Sequence, residues 1–172
     1  MLPYLTEADP LKHILLVCTG NVCRSPMAAG LLRQRLAADG LAEAVAVSSA
    51  GIYGLDGEPA SQPGVEVLAA RGVDIGDHRA HTITAADMSR ADLVLVMEDA
   101  HRRSLFYSYP HLLGKVFLFS EMAGEHGNVK DPYRQPRVAY ERCADELTRL
   151  LALGYDNILG RIGLSPPRHN TQ

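Results

Sequence analysis

The sequence predicts an α/β fold built on a parallel sheet, and three observations carry that expectation. An apolar run, His13 to Val17, stops at Cys18; a short loop rich in Gly and Asn follows, and then at once a helical pattern. Leu93-Val94-Leu95-Val96-Met97 is a continuous apolar run, as expected for a strand covered on both faces. Strand patterns alternate with helical ones along the chain, which implies parallel strands joined by right-handed crossovers. Ligands of such sheets bind beyond the carboxyl ends of the strands, and Cys18 lies at such an end.

The elements follow in order. Residues 1–10 are polar and proline-punctuated and read as a loose leader. Strand one covers about Lys12 to Val17. Helix one starts near Ser25 or Pro26, presents Ala28, Leu31, Leu32 and Leu36 at helical spacing, and ends near Gly40. Pro26 suits the first helical position, where its missing N–H costs nothing. Strand two is about Val45 to Ser49. Ile52 to Pro59 has no period and reads as a loop. A second helix presents Val65, Leu68 and Ala69 and stops at Gly72. Strand three is the Leu93–Met97 run, followed by a helix from about Asp99 to Ser108. Val116 to Phe119 is strand four. A polar loop, Gly124 to Val129, leads to Asp131-Pro132-Tyr133. A last helix carries Ala139, Cys143, Leu147, Leu150 and Leu151 on one stripe. One domain is expected over residues 11–163, with 1–10 and 164–172 as flexible termini.

Composition narrows the function. A chain of 172 residues with 47% hydrophobic content can bury one real core. The net charge of −3, with no basic run, argues against nucleic acid as a partner. No apolar run approaches the roughly 18 residues of a membrane span, and the N-terminus lacks the charge pattern of a signal peptide. Three cysteines are too few for a disulfide scaffold, and the odd number favours a reducing compartment, so a cytoplasmic location is expected. His78-x-x-His81 has no carboxylate or Cys partners nearby in sequence, so no metal is expected.

The chemistry concentrates in Val17-Cys18-Thr19-Gly20-Asn21-Val22-Cys23-Arg24-Ser25-Pro26. Backbone N–H groups of a loop entering a helix form an anion nest, and the helix adds its positive end to the same spot. Gly20 tolerates positive φ, and Asn21 is the next most tolerant residue type. A thiol near a helix N-terminus and a cation ionises readily, at pKa values of roughly 3.5–7.5. Arg24 can grip two phosphate oxygens at once, as Lys could not. Ser25 can donate to the Cys18 thiolate and stabilise it as a leaving group. A phosphate-binding loop of Thr19, Gly20, Asn21, Val22, Cys23, Arg24 and Ser25 is therefore expected around Cys18. A buried Cys in an ordinary strand-helix turn would account for neither Arg24 nor Asn21.

This stretch resembles the signature C-x-G-N-x-C-R-S-P of the low-molecular-weight protein tyrosine phosphatases, and the resemblance runs from about His13 to the helix after Asp131. It implies a single-domain four-stranded parallel sheet with helices on both faces, hydrolysis of phosphotyrosine through a cysteinyl-phosphate, and no cofactor. It makes Cys18 the nucleophile, Arg24 the phosphate clamp and Asp131, in a D-P motif, the general acid. Read alone, Asp131 could equally be a turn residue before proline. Ser49, in Ser49-Ala50-Gly51, and His78 match the family's supports for Asn21. Tyr133 and Ile52 are the expected substrate walls. Cys23 matches the family's second Cys, which traps an oxidised nucleophile as a disulfide before it goes on to irreversible forms. Cys143 reads as core.

Met97-Glu98, His81, His101 and Arg134 depart from the eukaryotic pattern and look bacterial. Some bacterial members oppose tyrosine kinases, which makes a tyrosine-phosphorylated protein the expected partner and such a kinase one candidate. A protein arginine phosphatase of the same fold is the nearest alternative. Its members carry Thr where this chain has Val22, and Phe where it has Tyr133, although Gly124 to Val129 resembles that subgroup too. A thiol arsenate reductase would need more cysteines past mid-chain, and Ile75 to Gly114 has none. A silent phosphoprotein-binding module would need only the Arg.

Overall fold

The computed structural model describes residues 11–167. Four strands, β1 (Lys12–Cys18), β2 (Val45–Gly51), β3 (Leu93–Val96) and β4 (Val116–Leu118), form one parallel sheet in the order β2-β1-β3-β4. The helices are α1 (Arg24–Ala38), α2 (Gln62–Ala69), α3 (Ala85–Arg90), α4 (Asp99–Ser108), α5 (Phe119–Met122) and α6 (Arg137–Arg161), with a 3-10 turn at Pro110–Lys115.

Strand alternation sorts side chains between two cores. Ile14 and Leu16 of β1 face a large core with Leu93 and Leu95 of β3, packed by α1, α2, α5 and α6. Leu15 and Val17 face a smaller core with Val94 and Val96, packed by Met88 of α3 and Leu105 of α4. Helices therefore cover both faces. β3 is buried throughout, as its continuous apolar run requires, and β1 is buried from Ile14 onward. Cys18 pairs with Gly51 at the carboxyl edge of the sheet.

Several elements differ from the sequence expectation. Phe119 ends the strand pattern but starts α5, because the Glu121 carboxylate accepts from the Leu118 amide at 3.3 Å and caps a helical turn there. α3 was not expected: six residues carry too little apolar periodicity to register. Its signal is the reciprocal cap between Thr84 and Asp87. α1 starts at Arg24, so Pro26 is its third residue, still in the first turn where amides lack intrahelical partners. α2 buries Val67 and Leu68, whereas Ala69 is exposed. Leu164, placed by sequence in the tail, packs against the large core. The leader 1–10 and residues 168–172 lie outside the described residues.

Candidate active site

The loop between β1 and α1 is held by its outer edge. The carbonyls of Cys18, Thr19, Gly20 and Val22 accept from the amides of Ile52 (3.0 Å), Tyr53 (2.9 Å), Leu55 (3.0 Å) and Ser61 (2.8 Å), and the Asn21 carbonyl accepts from His78 Nε2 at 2.6 Å. In a trans peptide the next residue's N–H points the opposite way. Five outward carbonyls thus turn the amides of Thr19 to Cys23 into the concave side, forming an anion nest. Cys23, the N-cap of α1, makes no side-chain cap, and the first turn has no acid, so the helix adds its positive end unopposed. The clamp needs close backbone contact: a Cβ on Gly51 would lie 2.5 Å from the Thr19 carbonyl oxygen.

Asn21 has φ 60, the left-handed region, and is tied on every side. Its Nδ2 donates to Ser25 Oγ and to Ser49 Oγ, both at 2.9 Å, and its Oδ1 accepts from the His81 amide at 3.0 Å. Burial lowers the pKa of His78, so a neutral ring donates to the Asn21 carbonyl. Ser49 and His78, the two expected supports, thus both bond to Asn21, one at its side chain and one at its carbonyl. Ser25 Oγ lies 2.9 Å from Cys18 Sγ, and Cys18 is 2% exposed.

Arg24 is 1% exposed, and its guanidinium is divided among several partners. Nη1 donates to the Glu98 carboxylate and to the Val129 carbonyl at 2.9 Å. Nη2 lies 3.3 Å from both Thr19 Oγ1 and Asp131 Oδ2. Nε is buried and has no hydrogen-bond partner among the described residues. The Nε–Nη2 edge, the fork that fits two oxygens of a tetrahedral anion, therefore keeps a buried donor unspent.

Asp131 stands at the lip, half exposed. Its Oδ1 accepts from the Tyr133 amide at 3.1 Å, and Pro132 fixes the bend between them. Tyr133, 40% exposed, lines an open cleft with Val22, Leu55 and Ser61. Ile52 instead packs, partly exposed, against the smaller core. Leu55, which the sequence did not single out, supplies apolar surface beside Gly20 and Val22.

His101 is buried and neutral: burial, then the Arg24 charge, push its pKa down to about 4, against the opposing pull of Glu98 and Asp131. Its Nε2 lies 2.8 Å from Thr19 Oγ1, and its Nδ1 accepts from the Glu98 amide at 3.1 Å. Sequence reasoning marked Glu98 and His101 as departures and as the next candidates for the acid after Asp131, and missed Val129; Glu98 and Val129 lie 74 and 105 residues from Arg24, and His101 lies 82 from Thr19, with no local signal.

Cys23 Sγ contacts Ser61 Oγ at 3.1 Å and Tyr140 Oη at 3.5 Å, and burial raises its pKa. Cys143 is core, its thiol pushed up to about 12 by burial. His81 Nε2 pairs with Asp87 at 3.0 Å. Among the described residues no group of three or more His, Cys, Asp or Glu is placed to hold a metal ion, and no helix is long and apolar enough to cross a membrane.

The family described as "Low molecular weight phosphotyrosine protein phosphatase" matches residues 13–153. A probable low molecular weight protein-tyrosine-phosphatase, EpsP, from Ralstonia nicotianae is 45% identical over 81% of this chain and 90% of its own length. The solved low molecular weight protein tyrosine phosphatase from T. tengcongensis superposes with a TM-score of 0.81 at 41% identity, over 85% of this chain and 99% of that one. A solved arginine phosphatase from Geobacillus stearothermophilus superposes with a TM-score of 0.78 at 32% identity, over 86% and 92%. With the signature loop, the sheet order and these relatives in agreement, the chain belongs to the low molecular weight phosphotyrosine protein phosphatase family.

Proposed function

We propose that this protein hydrolyses phosphotyrosine in proteins through a phosphocysteine on Cys18. The observation that carries the reading is Arg24: a fully buried guanidinium with an unpartnered Nε, set beside a nest of inward amides and a thiol. Leaving a buried donor unmade is costly, at about 1–3 kcal/mol, and a bound phosphoryl oxygen removes that cost.

The Cys18 sulfur attacks phosphorus, and the bond from phosphorus to the aryl oxygen breaks with its electron pair going to oxygen. Asp131 gives that oxygen a proton. Water then attacks the phosphocysteine, Asp131 takes back a proton, and the P–S bond breaks to release phosphate. Ser25 eases that departure: its Oγ already accepts from Asn21, so its own proton is left for Cys18 Sγ. Both carboxylates reach Arg24, but Glu98 is held tightly against the buried guanidinium, whereas Asp131, at 3.3 Å from Nη2, is the more exposed one at the lip, where a leaving oxygen would emerge.

Val22 and Tyr133 support an aryl phosphate over phosphoarginine. Both line the cleft beside the loop, and Val22 offers methyls where a Thr hydroxyl would meet a guanidinium. The natural substrate is then a tyrosine-phosphorylated protein, with a bacterial tyrosine kinase as one candidate. Three free cysteines suit a reducing cytoplasm.

The test is kcat/KM on matched peptides bearing phosphotyrosine, phosphoarginine, phosphoserine or phosphothreonine. Phosphotyrosine should be turned over best, and Val22→Thr should shift the balance toward phosphoarginine by about 10–200-fold. Wild-type preference for phosphoarginine would overturn the reading in favour of arginine phosphatase activity.

A further inference from the structure

Glu98, His101, Thr19 and Arg24 close a ring of hydrogen bonds around one side of the loop. The Glu98 amide donates to His101 Nδ1 at 3.1 Å, and the Glu98 carboxylate accepts from Arg24 Nη1. Thr19 Oγ1 joins the two arms, lying 2.8 Å from His101 Nε2 and 3.3 Å from Arg24 Nη2. The ring fixes proton positions. An Nδ1 that accepts from an amide carries no proton, so the proton of this imidazole sits on Nε2 and is donated to Thr19. Arg24 has no lone pair to offer and also donates. The Thr19 oxygen is then an acceptor twice over, and both its lone pairs are engaged. Its own proton has to leave the ring. Thr19 is exposed at the mouth of the loop, on the nitrogen of Arg24 that also reaches Asp131, so the space it faces is the one an oxyanion would fill.

We propose that His101 is a positioning residue that makes the Thr19 hydroxyl a donor to a non-bridging oxygen of the bound phosphoryl group. The loop amides and Arg24 would grip the anion in any member of this family; the hydroxyl is an added donor, and its direction depends on a side chain 82 residues away. A Thr free to rotate could spend its proton on another acceptor, and the anion would then have to win it back. His101 removes that choice. The inference rests on the loop being a phosphate site, as argued above, but not on which phosphoester is cleaved.

The experiment is a double-mutant cycle read by calorimetric titration with inorganic phosphate, which needs no turnover. Thr19→Val deletes the hydroxyl at nearly constant shape and should weaken phosphate binding by about 10-fold or more, the usual loss for a hydrogen bond to a charged group. His101→Leu in the Thr19 background should produce a similar loss. In the Thr19→Val background the same change should add less than about 2-fold, because there is no hydroxyl left to orient. Thr19→Ser, which keeps the hydroxyl, should bind within a few-fold of wild type. If His101→Leu weakens phosphate equally in both backgrounds, His101 is merely structural and the proposal fails. It fails also if Thr19→Val binds phosphate as wild type does. Should His101→Leu not fold, His101→Asn in both backgrounds gives the same comparison. Failure of the phosphotyrosine reading would appear in the peptide turnover and leave this cycle untouched, so the two are separable.

Discussion

Asn21 Nδ2 donates to Ser25 Oγ at 2.9 Å, and the same oxygen lies 2.9 Å from Cys18 Sγ. An ionised Cys18 sulfur can only accept, so in the thiolate state the Ser25 hydroxyl donates to it while accepting from Asn21. Ser25→Ala should therefore slow the second half of the reaction, where sulfur leaves phosphorus, more than the first. Rapid-quench kinetics with an activated aryl phosphate should show the steady-state rate falling more than the rate of the initial phenol release, relative to wild type. A uniform loss in both steps would mean that Ser25 serves the loop's shape alone.

Asp131 is expected to act on the leaving oxygen. Asp131→Asn should lose about 10²–10⁴-fold in kcat with poor leaving groups, and far less with activated ones. The measurement is the dependence of rate on leaving-group pKa in both proteins. A loss of equal size for all esters would move the acid elsewhere, and Cys18→Ser, which should abolish turnover while keeping oxyanion binding, is the control that the assay reports this site.

Peroxide should inactivate the enzyme reversibly through a Cys18–Cys23 disulfide, with Cys23 as the resolving thiol. Cys23 is a buried neutral thiol beside Ser61 and Tyr140, so its packing also needs it. Peptide mapping after mild oxidation should show the pair. Recovery by dithiol that is unchanged in Cys23→Ser would sink the assignment.

The neutral state of His101 ties stability to pH. Arg24 from α1, Glu98 at the start of α4 and Asp131 from the late loop all face it. Its folded pKa of about 4 lies below the ordinary 6.5. Between those values the unfolded chain binds a proton that the folded chain refuses, so stability falls as pH drops from about 6.5 to about 4. The shift corresponds to roughly 3 kcal/mol at most. Urea midpoints at pH 7 and pH 5 should fall less in His101→Gln than in wild type. Equal slopes would place the proton elsewhere, with His78, also lowered by burial, the next group to test.

What the sequence made legible is what short spacing encodes. The strand, loop and helix from Lys12 to Ala38, the nest residues and the Asp131-Pro132 step are read from neighbours a few positions apart, and the supports Ser49 and His78 came with the family's motifs. Glu98 and Val129 meet Arg24, and His101 meets Thr19, only because β3 lies beside β1, so no local pattern announces them. Leu55 is apolar in an aperiodic loop, and only the fold turns it toward Gly20. Phe119 shows the converse. Its residue type favours a strand, but a carboxylate two positions on captures the Leu118 amide and the chain turns helical.

The five outward carbonyls of the loop also bear on how the protein fails. Each is held by 52, 53, 55, 61 or 78, so the anion site is sewn along one seam to a single stretch of chain after β2. The donors are in position before any ligand arrives, and their alignment was settled during folding. Such a site cannot fray one donor at a time. Heat should extinguish catalysis and global structure at the same temperature, and saturating phosphate should raise that temperature for both together.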